Sequence, residues 1–180
     1  MPKLDKSNVG SVVTVPPFWK DRVIERVIEA SLEDSKSSGK PQIKMTTEIV
    51  MPESVKIGDV EYVLAGQKIN RYLGLSTDIV GAQKQSSWSN TFAFFDKVGV
   101  PTDIDTDDPE LNKKIETSLT GLCFENILNS SERIPKKRGL DGKFTPILDA
   151  RGLPIKQGFE WNTFLNDVVG RAEADVNKPY

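Results

Sequence analysis

Residues 21–50 read DRVIERVIEASLEDSKSSGKPQIKMTTEIV, and the conformation of this stretch decides the fold. Its second half is unambiguous. Ile43, Met45, Thr47 and Ile49 alternate with Gln42, Lys44, Thr46 and Glu48, the period-two pattern of a strand with one buried face. The first half is not. Val23, Ile24, Val27, Ile28 and Leu32 fit one face of a helix, whereas Arg22, Ile24, Arg26, Ile28 and Ala30 alternate less neatly against Val23, Glu25, Val27 and Glu29. The β-branched content and the strand that follows favour a strand over 21–32. Between the two halves, SKSSGKP at 35–41 is a turn by composition. The expectation is two long strands joined by a flexible, basic hairpin.

Working outward, Pro16 and Pro17 stop any helix, so 1–17 reads as an irregular arm. Pro52 ends the second strand, and Ile57-Gly58-Asp59 is a turn. EYVLAGQKINRYLGL at 61–75 reads as one long third strand with a bulge at Ala65-Gly66. The chain then turns helical from 76 to 98, in two pieces divided near Gly81 or Ser86-Ser87, with Ser76 or Thr77 as N-cap. Phe92, Phe95 and Val98 form its apolar face, and Gly99-Val100-Pro101 stops it. Asp108-Pro109-Glu110 opens a second helix, which runs to about Leu119. A strand follows at 121–128, and 130–146 is a loop or long hairpin. One or two short strands lie in 147–161, and a helix or strand in 164–174. This order predicts a mainly β chain with helical insertions, α+β in class: an OB-type five-stranded barrel with helices inserted after its third strand. The barrel domain spans 18–170, between the arm and a C-terminal tail at 171–180.

Composition narrows the chemistry. A chain of 180 residues, 37% hydrophobic and 28% charged, is one ordinary globular domain with appendages. The single cysteine, Cys123, makes no internal disulfide, which points to a reducing compartment. MPKLDKSNVGSVVTVPPF holds no apolar run long enough for a signal peptide, and no segment of the chain is one that spans a bilayer. A cytoplasmic protein without a membrane partner is expected. The absence of histidine removes the commonest general base and zinc ligand, and one cysteine removes thiolate zinc sites. No DxD or clustered-Glu signature stands in a well-ordered context. The chain is expected to be no enzyme and to carry no cofactor or metal. DIDTDD at 103–108 imitates part of a calcium loop, but Asp108 stands at the glycine position and Lys114 at the final glutamate position, so it reads as a loop and helix cap.

The net charge of −2 conceals segregation: 103–110 holds five acids and no base, and 133–143 holds five bases and one acid, Asp141. Fields near a surface follow local distribution rather than the total. A barrel that grips a polyanion needs cations along the path and flat rings for stacking. Lys36, Lys40 and Lys44 around the hairpin are candidates, although a solvated turn is also Lys/Ser-rich. Arg22 and Arg26 share one face of a strand, or are surface charges four apart on a helix. Lys68, Arg71 and Tyr72 offer two cations and a ring, with Lys68 and Tyr72 on one face and Arg71 on the other; the ring is equally at home in a core. Lys136, Lys137, Arg138 and Lys143 lie in RIPKKRGLDGK, a segment that Pro135 and Gly139 keep from regular structure and that suits wrapping a strand. Trp19 stands beside Lys20 and Arg22. Trp88, in SSWSN, is the tryptophan expected to be exposed, and Trp161 the one expected in the core.

Four segments carry a resemblance to a known family: EASLEDSKSSGKPQIKMTTEIV at 29–50, VLAGQKINRYLGL at 63–75, the phenylalanine-rich helix closing in VGVP at 98–101, and LTGLCFENIL at 119–128. In element order and at Ser35, Lys36, Gly39, Pro41, Glu48, Gly66, Gly99, Pro101 and Gly121, the chain resembles the small OB-fold single-stranded-DNA-binding proteins of bacteriophage replication and recombination modules. The resemblance covers roughly 18–128 and includes no catalytic motif. It implies sequence-independent binding of single-stranded DNA, replication or recombination proteins as further partners, no cofactor, and the host cytoplasm as location. Either a monomer or an oligomer is compatible with it. The competing class is a non-enzymatic phage structural or adaptor protein built on the same β-rich body.

Overall fold

In the computed structural model, which describes residues 14–80 and 84–173, Lys20–Asp34 is a 15-residue strand, β1. The opening stretch is therefore a strand throughout. Its imperfect alternation has a physical cause. Register shifts against the next strand fall between Ile24 and Glu25 and between Val27 and Glu29. The first places an extra residue, Val50, in the partner strand; the second places Ile28 as an extra residue in β1, bends it and moves its inward parity from Val23, Glu25 and Val27 to Ala30. β1 consequently serves two neighbours, β2 (Pro41–Met51) along 24–34 and β8 (Cys123–Glu132) along 20–26.

Further strands complete the wall. β5 (Lys68–Gly74) pairs antiparallel with β2. The far edge of β8 takes β11 (Phe159–Trp161) and then β12 (Val168–Arg171), both antiparallel. Asn162 N–H to the Asn129 carbonyl (2.9 Å) and Ile127 N–H to the Asp167 carbonyl (3.1 Å) fill the interval, so 159–171 acts as one interrupted fifth strand. The order is β5-β2-β1-β8-fifth strand, with helices between β5 and β8. It is a nearly closed antiparallel five-strand sheet of OB type, as expected. The seam between β5 and the fifth strand is bridged by side chains. Arg71 Nη1 donates to the Thr163 carbonyl at 2.9 Å, and Trp161 Nε1 to Gln67 Oε1 at 2.9 Å.

The barrel interior is layered. Val23, Ile49, Ile69, Leu128 and Trp161 form one apolar cluster; Val27, Met45, Leu73, Phe124 and Val168 belong to a second, which extends under the helices. Between them β1, β2, β5 and β8 each place one polar residue inward: Glu25, Thr47, Arg71 and Asn126, all buried. Glu25 accepts from Thr47 Oγ1 (2.7 Å), Arg71 Nη2 (2.6 Å), Arg71 Nε (3.2 Å) and Asn126 Nδ2 (3.0 Å). A buried ion pair persists only with such satisfaction of its remaining bonding positions.

Several boundaries differ from the sequence reading. The expected long third strand is two: β4 (Val60–Val63) pairs with β3 (Ser54–Ile57) as a separate ribbon, and Ala65-Gly66 is a turn with Gly66 at φ 83°. Residues 76–80 and 84–86 are not helical. Ile79–Val80 (β6) pairs with Gln85–Ser86 (β7), and Gly81 lies outside the described residues. The helix α1 is Ser87–Val98, capped by Ser86, whose side chain accepts from Ser89 N–H. It buries Thr91, Phe94, Phe95 and Val98 and leaves Phe92 exposed. Gly99 at φ 71° ends it, as expected. Regular helix α2 begins at Leu111 and runs to Leu119, with Leu111, Ile115 and Leu119 inward; Asp108 instead accepts from the Glu110 N–H at 2.9 Å. Among the described residues no helix is long and apolar enough to cross a membrane. Of the expected arm, 1–13 lies outside the described residues, as does 174–180 of the tail; Val15 packs beside the Trp161 cluster.

Candidate functional site

Strand parity puts Lys44, Thr46 and Glu48 of β2 and Lys68, Asn70 and Tyr72 of β5 on the outer wall of the barrel. The register pairs Lys44 with Tyr72, Thr46 with Asn70, and Glu48 with Lys68. Thr46 Oγ1 donates to Asn70 Oδ1 at 3.0 Å. Tyr72 is 56% exposed although large and aromatic. Lys44 and Lys68 are exposed and make no ion pair among the described residues. This face thus brings together three of the expected residues: a ring and two uncommitted cations, arranged to receive planar groups and anions. It is not uniformly basic, because Glu48 lies between Lys68 and Arg26 and pairs with Arg26. Lys36 is exposed on the β1–β2 turn.

Beyond Tyr72 the wall continues into a groove of about 380 Å³ between β5, α1 and the 162–167 interruption of the fifth strand. Tyr72 and Phe164 line it, with Ser87, Asn90 and Asn166 on its polar side. Gly74 lets α1 approach: a Cβ there would meet Ser87 Cβ at 2.4 Å. Phe164 is 71% exposed, yet the peptide that precedes it is held at both its carbonyl and its N–H. Its N–H donates to Asn162 Oδ1 at 3.0 Å, Asn162 Nδ2 donates to Asn129 Oδ1 at 3.1 Å, and the preceding Thr163 carbonyl is held by buried Arg71. Sequence reasoning missed Phe164. WNTFLN carries no periodicity, and its only signal is a large ring amid polar neighbours.

The basic segment is more ordered than its composition suggests. Lys136–Arg138 is a short strand, β9, paired with β10 (Phe144–Pro146) and closed by bonds between Gly139 N–H and the Lys143 carbonyl (2.8 Å) and between Gly142 N–H and the Gly139 carbonyl (3.0 Å). Of the loop or long hairpin expected, the structure forms a hairpin, and Pro135 and Gly139 flank its first strand without keeping it from regular structure. Strand alternation then places Lys136 and Arg138 on one side, with Phe144 opposite Arg138, and Lys137 on the other side opposite Thr145. Lys136, Lys137, Arg138, Lys143 and Phe144 are all exposed.

Other expected site residues are placed differently. Arg71 has no exposed surface and bonds to Glu25, so it is a strut of the barrel and not a surface contact. Trp19 is half-buried and packs edge-on against Trp161, ring centroids 5.7 Å apart. Trp88, expected exposed, is half-buried: it meets Phe92 and Phe95 edge-on at 5.9 and 6.3 Å, because positions four and seven apart share one helix face. Trp161 is in the core as expected. Arg22 pairs with Glu125 (2.9 Å) and Arg26 with Glu48. Lys40 pairs with Asp78, and that bond holds the Asp78 carboxyl below its usual range. These three cations remain on the surface but are already partnered.

Among the described residues, no group of three carboxylate or cysteine side chains is placed to hold a metal ion. Comparison with protein-family models, curated proteins and solved structures finds no match to this chain.

Proposed function

We propose that the protein binds single-stranded DNA with little sequence preference, through phosphate contacts and ring stacking, in phage DNA replication or recombination. The observation that carries this reading is the outer face of β2 and β5: an exposed Tyr72 beside uncommitted Lys44, with uncommitted Lys68 four residues along the same strand, on the wall of an OB-type barrel. Burying the Tyr72 ring would stabilise the protein, so its exposure on a cationic face suits a ligand that stacks and carries negative charge. Lys36 on the turn and the ribbon cations Lys136, Arg138 and Lys143 are further exposed charges available to phosphates. No residue set resembles a base-reading motif, which favours backbone-dominated binding. The test is fluorescence anisotropy of labelled oligo-dT. Tyr72→Ala should weaken binding by about 1–3 kcal/mol without lowering the melting temperature. Wild-type affinity in that variant, with its fold intact, would remove the carrying observation.

The adaptor reading has one feature of its own. A groove of about 360 Å³ between the chain after α1 and α2 is lined by Phe95, Pro101, Ile104 and Ile115, with Asp103 among its polar residues. An adaptor would dock a protein there and leave oligonucleotides unbound.

A further inference from the structure

We propose that the groove between β5, α1 and the 162–167 segment is a slot for one unstacked nucleobase, held between the rings of Tyr72 and Phe164; this inference rests on the single-strand-binding reading above and assigns that reading a specific subsite. Four observations converge on it. First, Tyr72 belongs both to the outer face of the β2–β5 wall and to the lining of the groove, so a chain crossing the wall arrives at the slot without a break. Second, Phe164 presents its ring to solvent from a backbone that is fixed rather than frayed. The Asn162 side chain holds its N–H, the Asn129 contacts hold Asn162, and the Arg71 guanidinium holds the Thr163 carbonyl. An exposed aromatic on a constrained segment contributes nothing to the core and loses little entropy on stacking.

Third, the edge of β5 beside the groove has hydrogen-bonding capacity to spare. Leu75 N–H donates to the Pro41 carbonyl, and Thr91 Oγ1 donates to the Gly74 carbonyl from the opposite side. Odd-numbered residues of β5 therefore bond to β2, and the N–H and C=O of Asn70 and Tyr72 point toward the seam. No backbone partner outside the β2 ladder takes them among the described residues. The Asn90 and Asn166 amides, also at the groove, have no partner among the described residues. Fourth, the groove's volume of about 380 Å³ lies in the roughly 300–1,000 Å³ range of small-ligand sites. Amides and backbone groups offer both donors and acceptors, so the slot accepts any base by its flat faces and discriminates weakly by its edge.

The experiment compares wild-type protein with Phe164→Ala and Phe164→Trp, using two probes of equal length and charge: oligo-dT, and an abasic sugar–phosphate oligomer. The expected result is a loss of about 5- to 150-fold on oligo-dT in Phe164→Ala, full binding in Phe164→Trp, and no change for either variant on the abasic chain. The melting temperature should not move, because the ring is mostly exposed. Equal affinity of wild type and Phe164→Ala for oligo-dT overturns the slot while leaving the binding reading intact. An equal loss on the abasic probe also overturns it, since the ring would then act through the backbone path. Failure of the wild-type protein to bind oligo-dT at all overturns the binding reading, and the slot with it.

Discussion

Replacing Arg71 with methionine isolates the polar layer at the middle of the barrel. Glu25 and Arg71 have no exposed surface, and the guanidinium provides two of the four donors to the Glu25 carboxylate. Methionine fills much of the same volume but leaves the carboxylate with Thr47 and Asn126 alone, and leaves the Thr163 carbonyl without its donor. Stranding one member of a buried pair costs about 3–5 kcal/mol. For a chain of this size that corresponds to a fall in melting temperature of about 6–20 °C. The double variant Glu25→Leu/Arg71→Met removes both charges. It still deprives the Thr47 hydroxyl and the Asn126 amide of an acceptor, about 1–3 kcal/mol, so it should lie about 2 kcal/mol above Arg71→Met. Urea denaturation of the wild type, both singles and the double measures the coupling directly. An Arg71→Met protein within about 1 kcal/mol of wild type, or a double variant as unstable as the sum of its singles, would refute the layer as described. Loss of oligonucleotide affinity without loss of stability would return Arg71 to the surface role its sequence context suggests.

Gly74→Ala should destabilise the fold by about 1–3 kcal/mol, because the new Cβ lies 2.3 Å from Ser87 Oγ and forces α1 off β5; Ser87→Gly in the same chain should restore part of the loss. Burial pushes the Cys123 thiol up from its ordinary value, so a chromogenic disulfide should label it slowly in the native protein and rapidly in urea; fast native labelling would contradict its position. In the β9–β10 ribbon, Lys136→Ala/Arg138→Ala should flatten the salt dependence of oligonucleotide binding by about 1.4, at about 0.7 per phosphate contact, while Lys137→Ala on the opposite side should leave it unchanged. Equal effects would mean that the ribbon does not present one face.

The barrel was legible where each strand kept a single parity. Residues 42–49 alternate cleanly, and β2 is where they place it. The first strand was harder because its bulge at 27–29 shifts the inward set, so that Val23, Val27 and Ala30 mimic helical spacing. Residues 61–75 merged into one strand because a glycine between two strand-like runs reads equally as a bulge or as the turn that Ala65-Gly66 makes. The buried layer did leave a trace: Glu25 falls in phase with Val23 and Val27, Thr47 with Met45 and Ile49, Arg71 with Ile69 and Leu73, and Asn126 with Phe124 and Leu128. A polar residue at apolar parity in four strands is a signature of an interior network, although composition alone reads Arg71 as a surface cation. Trp88 was similarly readable from its spacing to Phe92 and Phe95, and its polar sequence neighbours misled because they lie on the other helix face. Which surface cations are uncommitted was not legible, since Glu125, Glu48 and Asp78 reach Arg22, Arg26 and Lys40 only through tertiary structure.

The proposed function is tested most directly by titrating the protein with labelled oligo-dT across a series of salt concentrations. On the proposed reading, Lys36, Lys44, Lys68, Lys136, Arg138 and Lys143 would make about four to six phosphate contacts, which predicts tight binding at low salt and a slope of log affinity against log salt of about −3 to −4. Absence of binding to a single strand of roughly 30 bases at low salt, where electrostatic attraction is least screened, would contradict the account.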